Sequence, residues 1–90
     1  MILLFRLNYD KSWDKFFSKM DSSVQKMLWK RIQKLKTLAK ARHLKRGLPY
    51  FVVEVGQYRV GFIEEKSTRT IAFVGNHKQY QKWYIAFEKL

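Results

Sequence analysis

Ninety residues with 19 Lys and Arg, 7 Asp and Glu and no cysteine give a formal charge of +12. A hydrophobic share of 47%, with 17% aromatic, is too rich for a disordered chain, and the length suits one domain, 1–90, with a modest core. Disulfide scaffolds, thiolate metal sites and cysteine nucleophiles are excluded, and the apolar start, closed by Arg6, is too short for a signal peptide or membrane span, so the expectation is a cytoplasmic basic protein.

In chain order, residues 2–8 alternate as a strand, with Leu3, Phe5 and Leu7 on one face. Asp10 or Ser12 is placed to cap a short helix on which Trp13, Phe16, Phe17 and Met20 recur at i, i+3, i+4 and i+7. Ser22-Ser-Val-Gln25 fits a capping box and opens a long helix to about Arg42, whose stripe Val24, Met27, Leu28, Ile32, Leu35, Leu38 and Ala39 reads as core. Gly47-Leu-Pro49 breaks that helix. Three strands follow at 50–55, 58–64 and about 69–75, and a last helix at about 77–89 carries Tyr80, Trp83, Tyr84 and Phe87. The order βααβββα is that of an α+β domain with a mostly antiparallel sheet, two N-terminal helices on one face and a C-terminal helix.

Charge is concentrated in the first half, where residues 1–47 hold 13 basic and 3 acidic side chains against 6 and 4 in residues 48–90. Residues 22–47 contain nine basic side chains and no acid, so i,i+4 ion pairs cannot be their purpose. Such a field attracts polyanions or an acidic protein partner.

Gly56-Gln57 between Val55 and Tyr58 is a two-residue hairpin signal with glycine first, as a type II′ turn requires. Counting outward places Phe51, Val53, Val55, Tyr58, Val60 and Phe62 on one apolar face. The other face holds Tyr50, Val52, Glu54, Arg59, Gly61 and Ile63, with Arg59 across from Glu54. A second turn at Lys66-Ser67 sets Ile71 opposite Phe62, Phe73 opposite Val60 and Ala72 beside Gly61, the last two forming the floor of a concave site. Arg59 and Glu54 read either as a cross-strand ion pair or as a phosphate-holding cation with its orienting partner or base.

The run from Gly47 through Gly56-Gln-Tyr-Arg59 to Phe62, together with Phe73-Val-Gly-Asn-His77-Lys-Gln-Tyr80-Gln-Lys-Trp-Tyr84, resembles the RelE family of toxins from toxin–antitoxin systems. The resemblance spans nearly the whole chain and is specific as a set of motifs. It implies a microbial RNase-like fold and a metal-independent endoribonuclease that cleaves mRNA on the ribosome and is held inactive by a RelB-like antitoxin. In that chemistry the ribose 2′-OH attacks the adjacent phosphate, which needs a cation and groups that take and give protons. The resemblance assigns Arg59 to the phosphate and His77 to proton transfer, with Tyr80, Trp83 or Tyr84 near the family's terminal tyrosine. Lys45, Arg46 and Lys78, with Lys34, Lys40 and Arg42 of the basic segment, suit gripping RNA or ribosomal phosphates. Many members carry Lys or Arg where this chain has Val52 and Glu54. Either Glu54 and His77 form a base–acid pair around Arg59, or the chain is a catalytically weakened, toxin-like binding module.

A protein-interaction domain that receives an acidic helix is a third reading, and a membrane-surface role finds no support in the pattern. His43 and His77 lie far apart without a carboxylate cluster, so neither a metal nor a cofactor is expected.

Overall fold

The computed structural model describes residues 4–37, 42–43 and 50–88. Strand β1 (Arg6–Tyr9) leads through helices α1 (Trp13–Phe17) and α2 (Ser22–Gln33) and a 3-10 turn at Lys34–Lys36 to β2 (Arg42–His43). Strands β3 (Tyr50–Val55), β4 (Tyr58–Glu65) and β5 (Thr68–Asn76) and helix α3 (His77–Glu88) complete the order. The sheet runs β1-β5-β4-β3-β2, with β1 parallel to β5 and every other pair antiparallel. The α+β architecture is the one the sequence predicts, extended by the short edge strand β2.

The core face is the apolar face of the β3–β4 hairpin. Val55, Val60, Phe62, Ile71 and Val74 pack against Trp13 of α1 and against Leu28, Ile32 and Leu35. Each of those large side chains contributes roughly 1.5–3 kcal/mol of burial, so this row fixes α2 on the sheet. The hairpin has the predicted register, from Val55↔Tyr58 out to Tyr50↔Ile63. Gly56 sits at φ +59°, a first turn position that only glycine occupies without strain.

The second hairpin departs from simple counting. Glu65↔Thr68 to Phe62↔Ile71 follow the Lys66-Ser67 turn as expected, but Gly61 then pairs with Phe73, leaving Ala72 as an extra residue on β5. This bulge turns Val74 into the core and Phe73 to the opposite face, so Ala72 does not floor a concave site beside Gly61. The bulge lies where β1 ends. Asp10 N–H donates to Ile71 O at 2.9 Å, and Ser12 Oγ is 3.2 Å from Ala72 O.

Local caps differ from expectation as well. Ser12 Oγ donates to Asp10 Oδ2 at 2.5 Å, and neither side chain caps α1. That bond holds the Asp10 carboxyl below its ordinary range. The N-cap of α2 is Asp21, and Gln25 Nε2 donates to Phe17 O at 2.7 Å, so no capping box forms at Ser22.

The long helix to Arg42 is not formed. Regular helix ends at Gln33, the 3-10 turn runs to Lys36, and Thr37 is extended at φ −104°, ψ 175°. Arg42 instead pairs with Val52 in β2, while Leu38, Ala39 and the Gly47-Leu-Pro49 breaker lie outside the described residues. At the stop sits Arg69, a charged side chain only 3% exposed. Its Nη1 donates to Leu35 O and Thr37 O, both at 3.1 Å, and its Nε donates to Glu64 Oε1 at 2.8 Å. The guanidinium also lies 4.0 Å from the centroid of Phe5 and 5.0 Å from that of Phe62. Phe5 N–H donates to Lys36 O at 2.5 Å, which ties the start of the described chain to the same turn.

Replacing Arg69 with Met preserves bulk but strands two carbonyls and the Glu64 carboxylate. The expected loss is about 2–4 kcal/mol, seen as a lower urea midpoint at unchanged slope.

Candidate functional site

The site is built on the face opposite the core, where α3 crosses β4 and β5. Its seat is set by two glycines. A Cβ on Gly61 would stand 2.9 Å from Trp83 Cη2, and one on Gly75 would stand 2.8 Å from both Gln79 Oε1 and Phe73 Cζ. Trp83 stacks on Phe73 with centroids 4.9 Å apart and planes 17° apart, and meets Tyr50 edge-on at 5.0 Å. Burial there raises the Tyr50 hydroxyl above its ordinary pKa, with the Asp10 carboxylate adding to the effect. The first turn of α3 is closed by a reciprocal pair. Gln79 N–H donates to Asn76 Oδ1 at 2.9 Å, and Asn76 N–H donates to Gln79 Oε1 at 2.8 Å.

Arg59 lies across from Glu54 on one side and Gly75 on the other. Its Nη2 is 3.7 Å from Glu54 Oε1, beyond ordinary hydrogen-bond length, and the two side chains are 18% and 55% exposed. The guanidinium carbon sits 5.6 Å from the Tyr80 ring centroid. Arg59 Nε is buried and has no hydrogen-bond partner among the described residues. An open depression of about 580 Å³ is lined by Gly56, Gln57, Arg59, Asn76, His77 and Lys78. The N-terminal, positive-dipole end of α3 contributes Asn76, His77 and Lys78 to this depression, and no acidic residue sits in that first turn. The arrangement favours an anion. Among the described residues, no three His, Cys, Asp or Glu side chains group as metal ligands.

No protein-family model matches the sequence, and no curated protein does. Solved structures match over most of the chain. A chain of the RelB–RelE antitoxin–toxin complex from Methanococcus jannaschii superimposes with a TM-score of 0.69 at 17% identity, covering 84% of this chain and 96% of its own. A conserved hypothetical protein of Helicobacter pylori gives 0.66 at 19% identity, covering 83% and 97%. A chain of the intact Escherichia coli RelBE toxin–antitoxin complex gives 0.58 at 22% identity, covering 80% and 95%. The fold is RelE-like.

On this RelE-like frame, Arg59, His77 and Lys78 meet at the depression, and Glu54 and Tyr80 flank Arg59. Of the three aromatic candidates, Tyr80 is the ring set against the guanidinium. Trp83 packs the sheet, and Tyr84 lies behind Tyr80 at 6.1 Å. Val52 is 2% exposed and pairs with Gly61, beneath Trp83, which explains an apolar residue there. Lys34 is exposed on the 3-10 turn, on the α2 side of the sheet away from the depression. The backbone of Arg42 is in β2, while Lys40, Lys45 and Arg46 lie outside the described residues. Gly75, Asn76 and Gln79 are the positioning residues that the sequence reading omits. The Asn-x-x-Gln spacing at 76–79 carried the signal for the last two.

Asn76→Ala is expected to cost about 1 kcal/mol of stability through the lost cap. Gly61→Ala should displace Trp83 and cost about 1–3 kcal/mol, with a change in near-ultraviolet dichroism that Asn76→Ala does not produce.

Proposed function

We propose that this chain is a single-domain RelE-like toxin of a toxin–antitoxin pair, an endoribonuclease that cuts mRNA on the ribosome in the cytoplasm. The observation that carries the reading is Arg59, a mostly buried cation whose Nε has no hydrogen-bond partner among the described residues, held beside His77 and Lys78 at the positive end of α3. In this reading a backbone phosphate occupies the depression. Arg59 and Lys78 neutralise the charge that accumulates as the 2′-oxygen attacks phosphorus and the bond to the 5′-oxygen breaks. Glu54 accepts the 2′-OH proton, His77 supplies a proton to the leaving 5′-oxygen, and Tyr80 supports the Arg59 guanidinium through its ring face. The products are a cyclic phosphate and a free 5′-OH. The cationic segment, from Lys34 through Lys40, Arg42, Lys45 and Arg46, adds affinity for ribosomal or messenger phosphates. A RelB-like antitoxin restrains the activity, in keeping with the antitoxin–toxin complexes in which two of the structural neighbours occur.

A second reading is favoured by Val52 and Glu54. One is buried and the other is an anion facing Arg59, so β3 brings no cation to the phosphate. On that reading the protein binds ribosomes without cutting mRNA.

The deciding experiment maps mRNA 5′ ends in a reconstituted translation system. Wild-type protein should generate ribosome-dependent cuts, and Arg59→Ala should lower their rate by roughly 100-fold or more, as removal of a transition-state charge partner does. Intact mRNA with ribosome-bound wild-type protein would support the second reading instead.

A further inference from the structure

A second surface lies apart from the depression, on the α2 side of the sheet. Trp29 is 45% exposed and Tyr9 is 38% exposed, and the two rings stack with centroids 5.6 Å apart at 19°. The pair is held rigidly. Tyr9 also meets Trp13 at 5.2 Å, Trp13 stacks on Phe17 at 4.6 Å, and Phe17 approaches Trp29 at 6.3 Å. Gln33 Nε2 donates to the Tyr9 hydroxyl at 3.3 Å, which fixes the outer ring from a neighbouring helical turn. Trp13 is 8% exposed and completes the inner side of the cluster, so the core is closed by Trp13 while Trp29 stays 45% exposed. Lys26 lies one helical turn before Trp29 and Lys30 directly follows it, both exposed, and residues 22–37 contain no acid.

We propose that the Trp29–Tyr9 pair is a stacking platform for an unpaired base of single-stranded RNA, with Lys26 and Lys30 holding the phosphates beside it. The inference rests on the RNA-directed reading of the chain. A planar ring open to solvent offers a π-face to any base, and rigid support removes the ordering cost that a mobile tryptophan would carry. Cations without intervening acids suit the flanking phosphates. The same charge also attracts an acidic protein segment, but the exposed apolar element is a stacked pair of flat rings, the shape that a base matches.

The test uses a fluorescent single-stranded 12-mer of 2′-O-methyl RNA, which has no free 2′-OH and is not cut, and follows anisotropy across a salt series. Trp29→Ala should weaken binding roughly tenfold and leave the slope of log affinity against log salt unchanged. Trp29→Phe should restore most of the loss. Lys30→Ala should make the slope shallower by about 0.7. A strand carrying abasic sites should bind wild-type and Trp29→Ala protein equally, and thermal melting should show the variants folded. Equal binding of the normal strand by folded Trp29→Ala protein overturns the platform, as does a Trp29→Ala defect confined to an acidic protein partner. If Arg59-dependent cuts still occur on ribosomes in that case, only the platform fails. If wild-type protein neither cuts mRNA nor binds the strand, the RNA-directed reading fails with it.

Discussion

The extra residue at Ala72 in β5 sets the geometry on which both faces of the sheet depend. Below it, β5 pairs in step with the turn at Lys66-Ser67. Above it, every side chain has changed face. Val74 enters the core beside Val60, and Phe73 emerges on the other side as the ring on which Trp83 stacks. Gly75 then comes opposite Arg59, and its missing Cβ lets Gln79 and the first turn of α3 settle against the strand end. Without the shift, Val74 would face Arg59 and Phe73 would be driven into a core already filled by Val60 and Phe62. The site is a consequence of a strand irregularity, in line with the frequent placement of bulges next to functional sites.

Two arginines ten residues apart show how differently the fold uses one side chain. Arg69 is engaged by a carboxylate, two carbonyls and two aromatic faces, and its guanidinium is a structural cross-link at the end of the helical segment. Arg59 keeps a loose contact with Glu54 and a ring contact with Tyr80, and its Nε has no hydrogen-bond partner among the described residues. A buried donor without a partner carries a free-energy penalty that an incoming acceptor relieves. Arg59 therefore keeps donor capacity that Arg69 has already committed to the fold.

The same economy applies to the aromatic residues. Trp83 and Phe73 cover the sheet and seat α3, whereas Tyr80, one helical turn earlier, meets the guanidinium. Trp13 closes the core, whereas Trp29, on the neighbouring helix, leaves much of its ring in solvent. Each pair combines one packing ring with one outward-facing ring, and both outward rings lie near cations.

Local chemistry determined much of this in advance. The Gly56-Gln57 dipeptide dictated the turn, and a period of two then fixed which β3 and β4 residues face the core and that Arg59 opposes Glu54. Helical spacing identified Leu28, Ile32 and Leu35 as core, with Val24 partly buried beside them and Met27 of the same stripe left exposed, and the Gly-x-Tyr-Arg and His-x-x-Tyr motifs pointed to a RelE-like fold. Three features were decided only by tertiary contacts. Residues 71–74, Ile-Ala-Phe-Val, are apolar throughout, so alternation carried no information on the bulge, and the packing of β1, α1 and α3 chose it. The helical stripe continued past Lys36 in the sequence, but the chain turns extended at Thr37, where Arg69, from a strand more than thirty residues later, takes the carbonyls of Leu35 and Thr37. The Ser22 and Asn76 segments both present a capping pattern, and only at Asn76 does the chain enter the helix so that the two side chains reach each other's backbone. Sequence spacing governs what neighbouring residues can do. Long-range contacts, which no local pattern encodes, determine which of those possibilities is lowest in free energy.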